Sequence, residues 1–156
     1  MMPAPTRQVY AIFIRATAQQ VWDGITKPQF IERYFFGAKT ETTGKARSRI
    51  RVYSPDGKRL WRDDEIIESD PPRRLVYTWR SLYDDELAQE APSRITWEIE
   101  PQPDGSTKLT VTHDQLENSP KTAANVSGGW MFILSGLKTF LETGEPLSKR
   151  STGQRD

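Results

Sequence analysis

Apolar and polar positions along the chain follow three successive rhythms. Residues 9–15 read VYAIFIR, a β-rich run that predicts a strand. Thr17-Ala18-Gln19-Gln20 follows, and a Thr with a Gln three residues later is a capping-box pattern that predicts a helix start. Val21, Trp22 and Ile25 give that helix an apolar side. Pro28 suits the first turn of a second short helix. Its apolar face runs through Phe30, Ile31, Tyr34 and Phe35, with Gly37 as the stop.

Between residues 38 and 114 the period becomes two. Residues 48–53, 60–68, 75–80, 94–100 and 108–113 read as strands. Pro55-Asp56-Gly57, Asp70-Pro71-Pro72 and Asp104-Gly105 supply the turns between them. Residues 82–92 form a polar loop. Strands at hairpin spacing predict one antiparallel meander. Residues 115–124 are polar, and Asn118-Ser119-Pro120 marks them as a loop. The third rhythm is helical. Trp130, Ile133, Leu134, Leu137 and Leu141 make an amphipathic stripe on a final helix that runs to about Thr143. Asn125 or Ser127 is placed to cap it, and Gly144 and Pro146 end it. Residues 1–8 and 148–156 are predicted to be disordered, with residues 9–147 as a single domain.

This order predicts an α+β fold: a curved antiparallel sheet of six to seven strands wrapped around the long C-terminal helix. Two short helices after the first strand close one end. The apolar face of the sheet needs a cover, and the final helix carries the only long apolar stripe. A sheet bent around one helix encloses more room than side chains fill, so a hollow between them is expected.

Composition narrows the partners. With 22 basic and 21 acidic residues in 156, the chain has no charge excess that would favour nucleic acid. No apolar run approaches the ~20 residues of a membrane span, and the polar N-terminus has no apolar secretory segment. The absence of cysteine excludes thiol chemistry and disulfides and fits a cytoplasmic location. The single histidine, His113, argues against a His-built metal site or a Ser-His-Asp triad. No metal and no cofactor is implied.

Four stretches carry a resemblance: residues 17–34 (TAQQVWDGITKPQFIERY), 71–79 (PPRRLVYTW), 94–113, and 129–147 (GWMFILSGLKTFLETGEPL). Together with the element order they resemble the START-like, or helix-grip, superfamily, also called SRPBCC. Within it they are similar to the bacterial branch related to the activator of the 90-kDa heat-shock chaperone ATPase. The resemblance spans about residues 9–147. It implies a small-molecule binder, a co-chaperone module with a protein partner, or, less often, an enzyme of the cyclase or hydrolase kind.

Strand alternation points Ile95, Trp97 and Ile99 inward, and likewise Leu109, Val111 and His113, and Leu75, Tyr77 and Trp79. On the strand from Leu60, Trp61 and Ile67 are taken as inward, with Leu60 and Ile66 as the competing phase. The candidate cavity lining is therefore Tyr77, Trp79, Trp97, Val111, His113, Trp130, Ile133, Leu134 and Leu137. It suits a small apolar or amphipathic molecule. The same side chains equally fit plain core packing. His113 fits either a hydrogen-bonded structural role or that of a general base, and Asp114 falls on the opposite strand face. Arg47, Arg49 and Arg51 alternate opposite Asp63 and Glu65, as cross-strand pairs or as a docking stripe. The expected assembly is a monomer or homodimer.

Overall fold

The computed structural model describes residues 3–154, so residues 1, 2, 155 and 156 of the two predicted disordered ends lie outside the described residues. Strand β1 (Gln8–Ile14) leads through Thr17 into α1 (Ala18–Thr26). The predicted capping box is formed. The Thr17 hydroxyl accepts from the Gln20 amide at 3.1 Å, and Gln20 Oε1 accepts from the Thr17 amide at 2.8 Å. Pro28 opens α2 (Pro28–Tyr34) at its first position, where the missing N–H breaks no helical bond. The helix ends at Tyr34, earlier than the apolar row suggests. Phe36 and Gly37 take positive φ, which swings Phe35 and Phe36 away from the helical row.

Strands β2 (Lys39–Thr42), β3 (Arg49–Tyr53), β4 (Leu60–Asp70), β5 (Arg74–Trp79), β6 (Ser93–Pro101) and β7 (Thr107–Asp114) form a meander that β1 joins beside β7. The seven-stranded antiparallel sheet has the order β1-β7-β6-β5-β4-β3-β2. The register shifts at Val52/Tyr53 and again at Ile66/Glu68. Such bulges increase twist and bend the strand, which helps the sheet curl. The long helix α5 (Gly129–Thr143) lies against the inner face, as the amphipathic stripe predicts. Trp130, Ile133, Leu134 and Leu137 are buried in one core with Leu75, Tyr77, Trp79, Ile95, Trp97, Ile99, Leu109 and Val111. The inward faces expected for β5, β6 and β7 are the buried ones. The architecture is the helix-grip fold.

Further details differ from the sequence reading, which has no strand at β2 and places the cap of the final helix at Asn125 or Ser127 where Gly128 stands. Two segments that read as loops contain short helices, α3 (Asp85–Ala88) and α4 (Pro120–Val126). In α4, Pro120 sits at the start just as Pro28 does in α2, and Thr122, Ala123 and Val126 face inward. On β4 the phase is the reverse of the one preferred: Arg62, Asp64 and Ile66 are buried, while Ile67 is exposed and Trp61 half-buried. Two charged residues on the inner phase mask its apolar signal. At the amino end, Gln8 belongs to β1 and is buried. Its side-chain amide donates to the Ala123 carbonyl at 3.0 Å.

Another difference is the tail. Residues 148–153 are packed against the body of the protein. Ser148 caps a 3₁₀ turn (Lys149–Thr152), and Ser151 is fully buried. The turn lies so close to Gly37 that a β-carbon there would collide with the Thr152 carbonyl oxygen. At Gly136 of α5 a β-carbon would come within 3.3 Å of Tyr34 Cβ and 3.8 Å of Ser151 Oγ. Arg150 stacks over Phe132, its guanidinium carbon 4.5 Å from the ring centre.

Candidate functional site

Between α5 and the β3–β5 part of the sheet lies a cavity of about 480 Å³. Its deep wall consists of buried Val52 from β3, Arg62 from β4, Trp79 from β5, Ser81 just beyond β5, Val126 from α4, and Trp130 and Ile133 from α5. Half-buried Phe35, Phe36 and Trp61 form its flanks. Exposed Arg59, Tyr83, Asn125 and Arg150 form its rim. The rim is tied across: Tyr83 donates its hydroxyl to Asn125 Oδ1 at 2.8 Å, and Arg59 Nη2 donates to the Tyr83 carbonyl at 3.2 Å. Trp79 and Trp130 meet at 5.5 Å between ring centres and floor the space.

Of the nine predicted lining residues, Trp79, Trp130 and Ile133 border this cavity. Tyr77 and Trp97, with Ile133, border a separate crevice of about 40 Å³, room for roughly one water. Trp97 Nε1 donates to the Tyr77 hydroxyl at 3.0 Å, so the two rings hold each other. Val111, His113, Leu134 and Leu137 lie in the packed core and border neither space.

His113 is fully enclosed, and its surroundings define its protonation. The indole N–H of Trp130 lies 3.1 Å from Nδ1. An indole can only donate, so Nδ1 accepts and the ring proton sits on Nε2. Nε2 is 2.6 Å from Ser93 Oγ, which in turn donates to the Trp79 carbonyl at 3.2 Å. The chain runs Trp130 to His113 to Ser93 to Trp79 with every donor matched. Burial, reinforced by the Arg62 charge, lowers the His113 pKa to about 3. The imidazole is therefore neutral and its basic lone pair is occupied, which is the structural alternative among the two roles expected for it. Asp114 faces away, as expected. It takes two bonds from Arg94, at 2.9 and 2.7 Å, and these hold its carboxyl below the usual range.

The least expected occupant is Arg62. It is 7% exposed, and its guanidinium carbon lies 3.8 Å from the Trp79 ring centre. Nη1 is 3.3 Å from Asp64 Oδ2, an ion pair without hydrogen-bond alignment. Asp64 Oδ1 accepts from the Arg80 amide at 3.1 Å and from Thr78 Oγ1 at 3.2 Å. Burial raises the Asp64 carboxyl against the opposing pull of Arg62. One signal for this pair was available: opposite charges two residues apart share a strand face, so they can be buried together. Phe35, Phe36 and Arg150 had no such local signal. On the outer face, Arg49 Nε lies 2.9 Å and Arg51 Nε 3.6 Å from Asp63, which makes that stripe a set of cross-strand pairs. Arg47 lies outside β3, with positive φ.

The family model described as Activator of Hsp90 ATPase homolog 1-like protein matches residues 15–142, and the chain belongs to that family. No curated protein matches it. Among solved structures, DynU16 of the dynemicin biosynthetic locus superposes with a TM-score of 0.76 at 21% identity, over 97% of this chain and 51% of its own. This chain thus spans about half the length of DynU16. CalU16 from Micromonospora echinospora gives a TM-score of 0.70 at 19% identity, over 92% of this chain and 78% of that one. The Aha1 dimer from Colwellia psychrerythraea gives 0.69 at 16% identity, over 90% and 98%. At these identities the likeness is one of fold. Among the described residues, no helix is long and apolar enough to cross a membrane.

Proposed function

We propose that this member of the Activator of Hsp90 ATPase homolog 1-like family binds a small amphipathic molecule in the cavity between its sheet and α5. The observation that carries the reading is the space itself. About 480 Å³ walled by Trp79, Trp130, Val126 and Ile133 falls within the ~300–1,000 Å³ of small-molecule sites. The aromatic walls give broad apolar contact, and the polar rim gives an entrance. Two observations weigh against the alternatives. Arg49 and Arg51 are engaged by Asp63, so two of the three arginines of the stripe are partnered within the chain. His113, the residue on which an acid–base enzyme would depend, is sealed in the core with its lone pair occupied.

The test is a fluorescence titration with N-phenyl-1-naphthylamine, a neutral aromatic probe. Wild-type protein binds it saturably at one site. Ile133→Trp, which pushes an indole into the cavity, weakens binding by at least about tenfold while the protein melts cooperatively. Absence of saturable binding to wild type, or binding that a folded Ile133→Trp retains in full, refutes the reading.

A further inference from the structure

The cavity is unusual in its polar inventory. Arg62 Nε and Nη1, Ser81 Oγ and Trp79 Nε1 are all buried without a hydrogen-bond partner, and all three residues border the cavity. Natural interiors rarely leave such groups unpaired, so a cluster of them calls for a missing partner. The fold gathers them deliberately. An isolated antiparallel bridge sets Arg62 beside Ser81, and Trp79, two residues before Ser81, shares that strand face. The guanidinium carbon lies over the Trp79 ring, 3.8 Å from its centre, a cation–π contact that holds the charge there.

The four atoms have one chemistry in common. Three are N–H donors and the fourth is a hydroxyl able to donate. Among the described residues no carboxylate borders the cavity, whereas Arg59, Arg62 and Arg150 all do. Asp64 does not satisfy the cluster. It stands behind Arg62, with one oxygen committed to Thr78 and Arg80 and the other off-line from Nη1. Its role is to hold and partly balance the arginine, whose Nε and Nη1 keep unused donor capacity.

We infer that the ligand is an aromatic or polycyclic acid whose anionic group, a carboxylate or sulfonate, docks on Arg62, Ser81 and Trp79 while its ring system lies against Trp130 and Ile133. This rests on the cavity reading above and names the ligand class for it. An oxyanion would accept from the guanidinium, the hydroxyl and the indole together. Charge-assisted bonds of that kind, made away from water, separate an acid from its neutral analogue.

The experiment compares two probes with one skeleton: 8-anilinonaphthalene-1-sulfonate, and N-phenyl-1-naphthylamine, which lacks the sulfonate. Wild type is expected to prefer the sulfonate by about tenfold or more. Arg62→Met keeps the stem and removes the donors, so the preference should fall to within about twofold while the neutral probe still binds. Ser81→Ala should reduce the preference about threefold, and it decides the matter if Arg62→Met does not fold. Lys45→Gln, an exposed position that does not border the cavity, removes one positive charge elsewhere and should leave the preference in place. Equal affinity of wild type for the two probes overturns the inference but leaves the cavity reading intact. So does a preference that survives Arg62→Met, or survives Ser81→Ala where that variant decides, or disappears with Lys45→Gln. Failure of both probes to bind overturns the cavity reading itself.

Discussion

At the scale of single residues, the interior is organised by polar groups whose partners are specified by hydrogen-bond chemistry. His113 illustrates how far this goes. A ring that accepts from an indole and donates to a serine cannot take up a second proton without losing the Trp130 bond. Its folded pKa of about 3 lies below the ordinary value of 6.5. Between those values the unfolded chain binds a proton that the folded chain refuses, so stability rises with pH through that window and is lost as pH falls. Carboxylates with lowered pKa, such as Asp114 and Glu142, act in the same sense but only near and below their ordinary range of about 4. The raised carboxyl of Asp64 acts in the opposite sense. From pH 6.5 to about 4.5, denaturant unfolding should therefore show stability falling by up to about 1.4 kcal/mol per pH unit. His113→Gln should flatten that slope. A wild-type stability independent of pH over this range would contradict the neutral, enclosed imidazole.

At the scale of elements, periodicity explains most of what formed. The Thr17 capping box, the Pro28 start and the alternation in β5, β6 and β7 are local patterns, and each appears in the structure where the pattern places it. The α5 stripe is the element on which the grip depends. Leu137 is fully buried, with its side chain beside Gly24 of α1, and Leu137→Ala should cost about 2–5 kcal/mol in chemical unfolding. A loss below about 1 kcal/mol would mean that α5 presents a different face. The exceptions are equally physical. In β4 the inner positions include Arg62 and Asp64, so the apolar residues Trp61 and Ile67 suggest the wrong phase. In α4 only Thr122, Ala123 and Val126 turn inward, too few to lift a polar segment above a loop reading.

At the scale of the whole molecule, the segment that follows α5 takes part in the fold. The 3₁₀ turn at Lys149–Thr152 closes against Phe36, Gly37 and Phe132, and Arg150 thereby reaches the rim of the cavity. Deleting residues 148–156 should lower Tm, by roughly 2–4 °C for each kcal/mol lost in a chain of this size. It should also open the cavity on that side, visible as a faster release of a bound naphthalene probe. An unchanged melting curve would show that the tail contributes nothing to the folded state, as its polar composition alone suggests.

By itself the sequence determined the order of the main elements, from β1, α1 and α2 through β3–β7 to α5, the helix-grip architecture, and the inner faces of β5, β6, β7 and α5. Alternation, helical spacing and capping patterns are written within a few neighbouring residues, and they leave few ways to cover one apolar sheet face. Only the tertiary structure decided which aromatic residues border open space and which fill the core. It alone buried Arg62 beside Ser81 and Trp79, closed the hydrogen-bond chain around His113, and folded the tail onto Gly37. Each of these depends on segments tens of residues apart meeting at a set distance on a bent sheet, and no local pattern carries that distance.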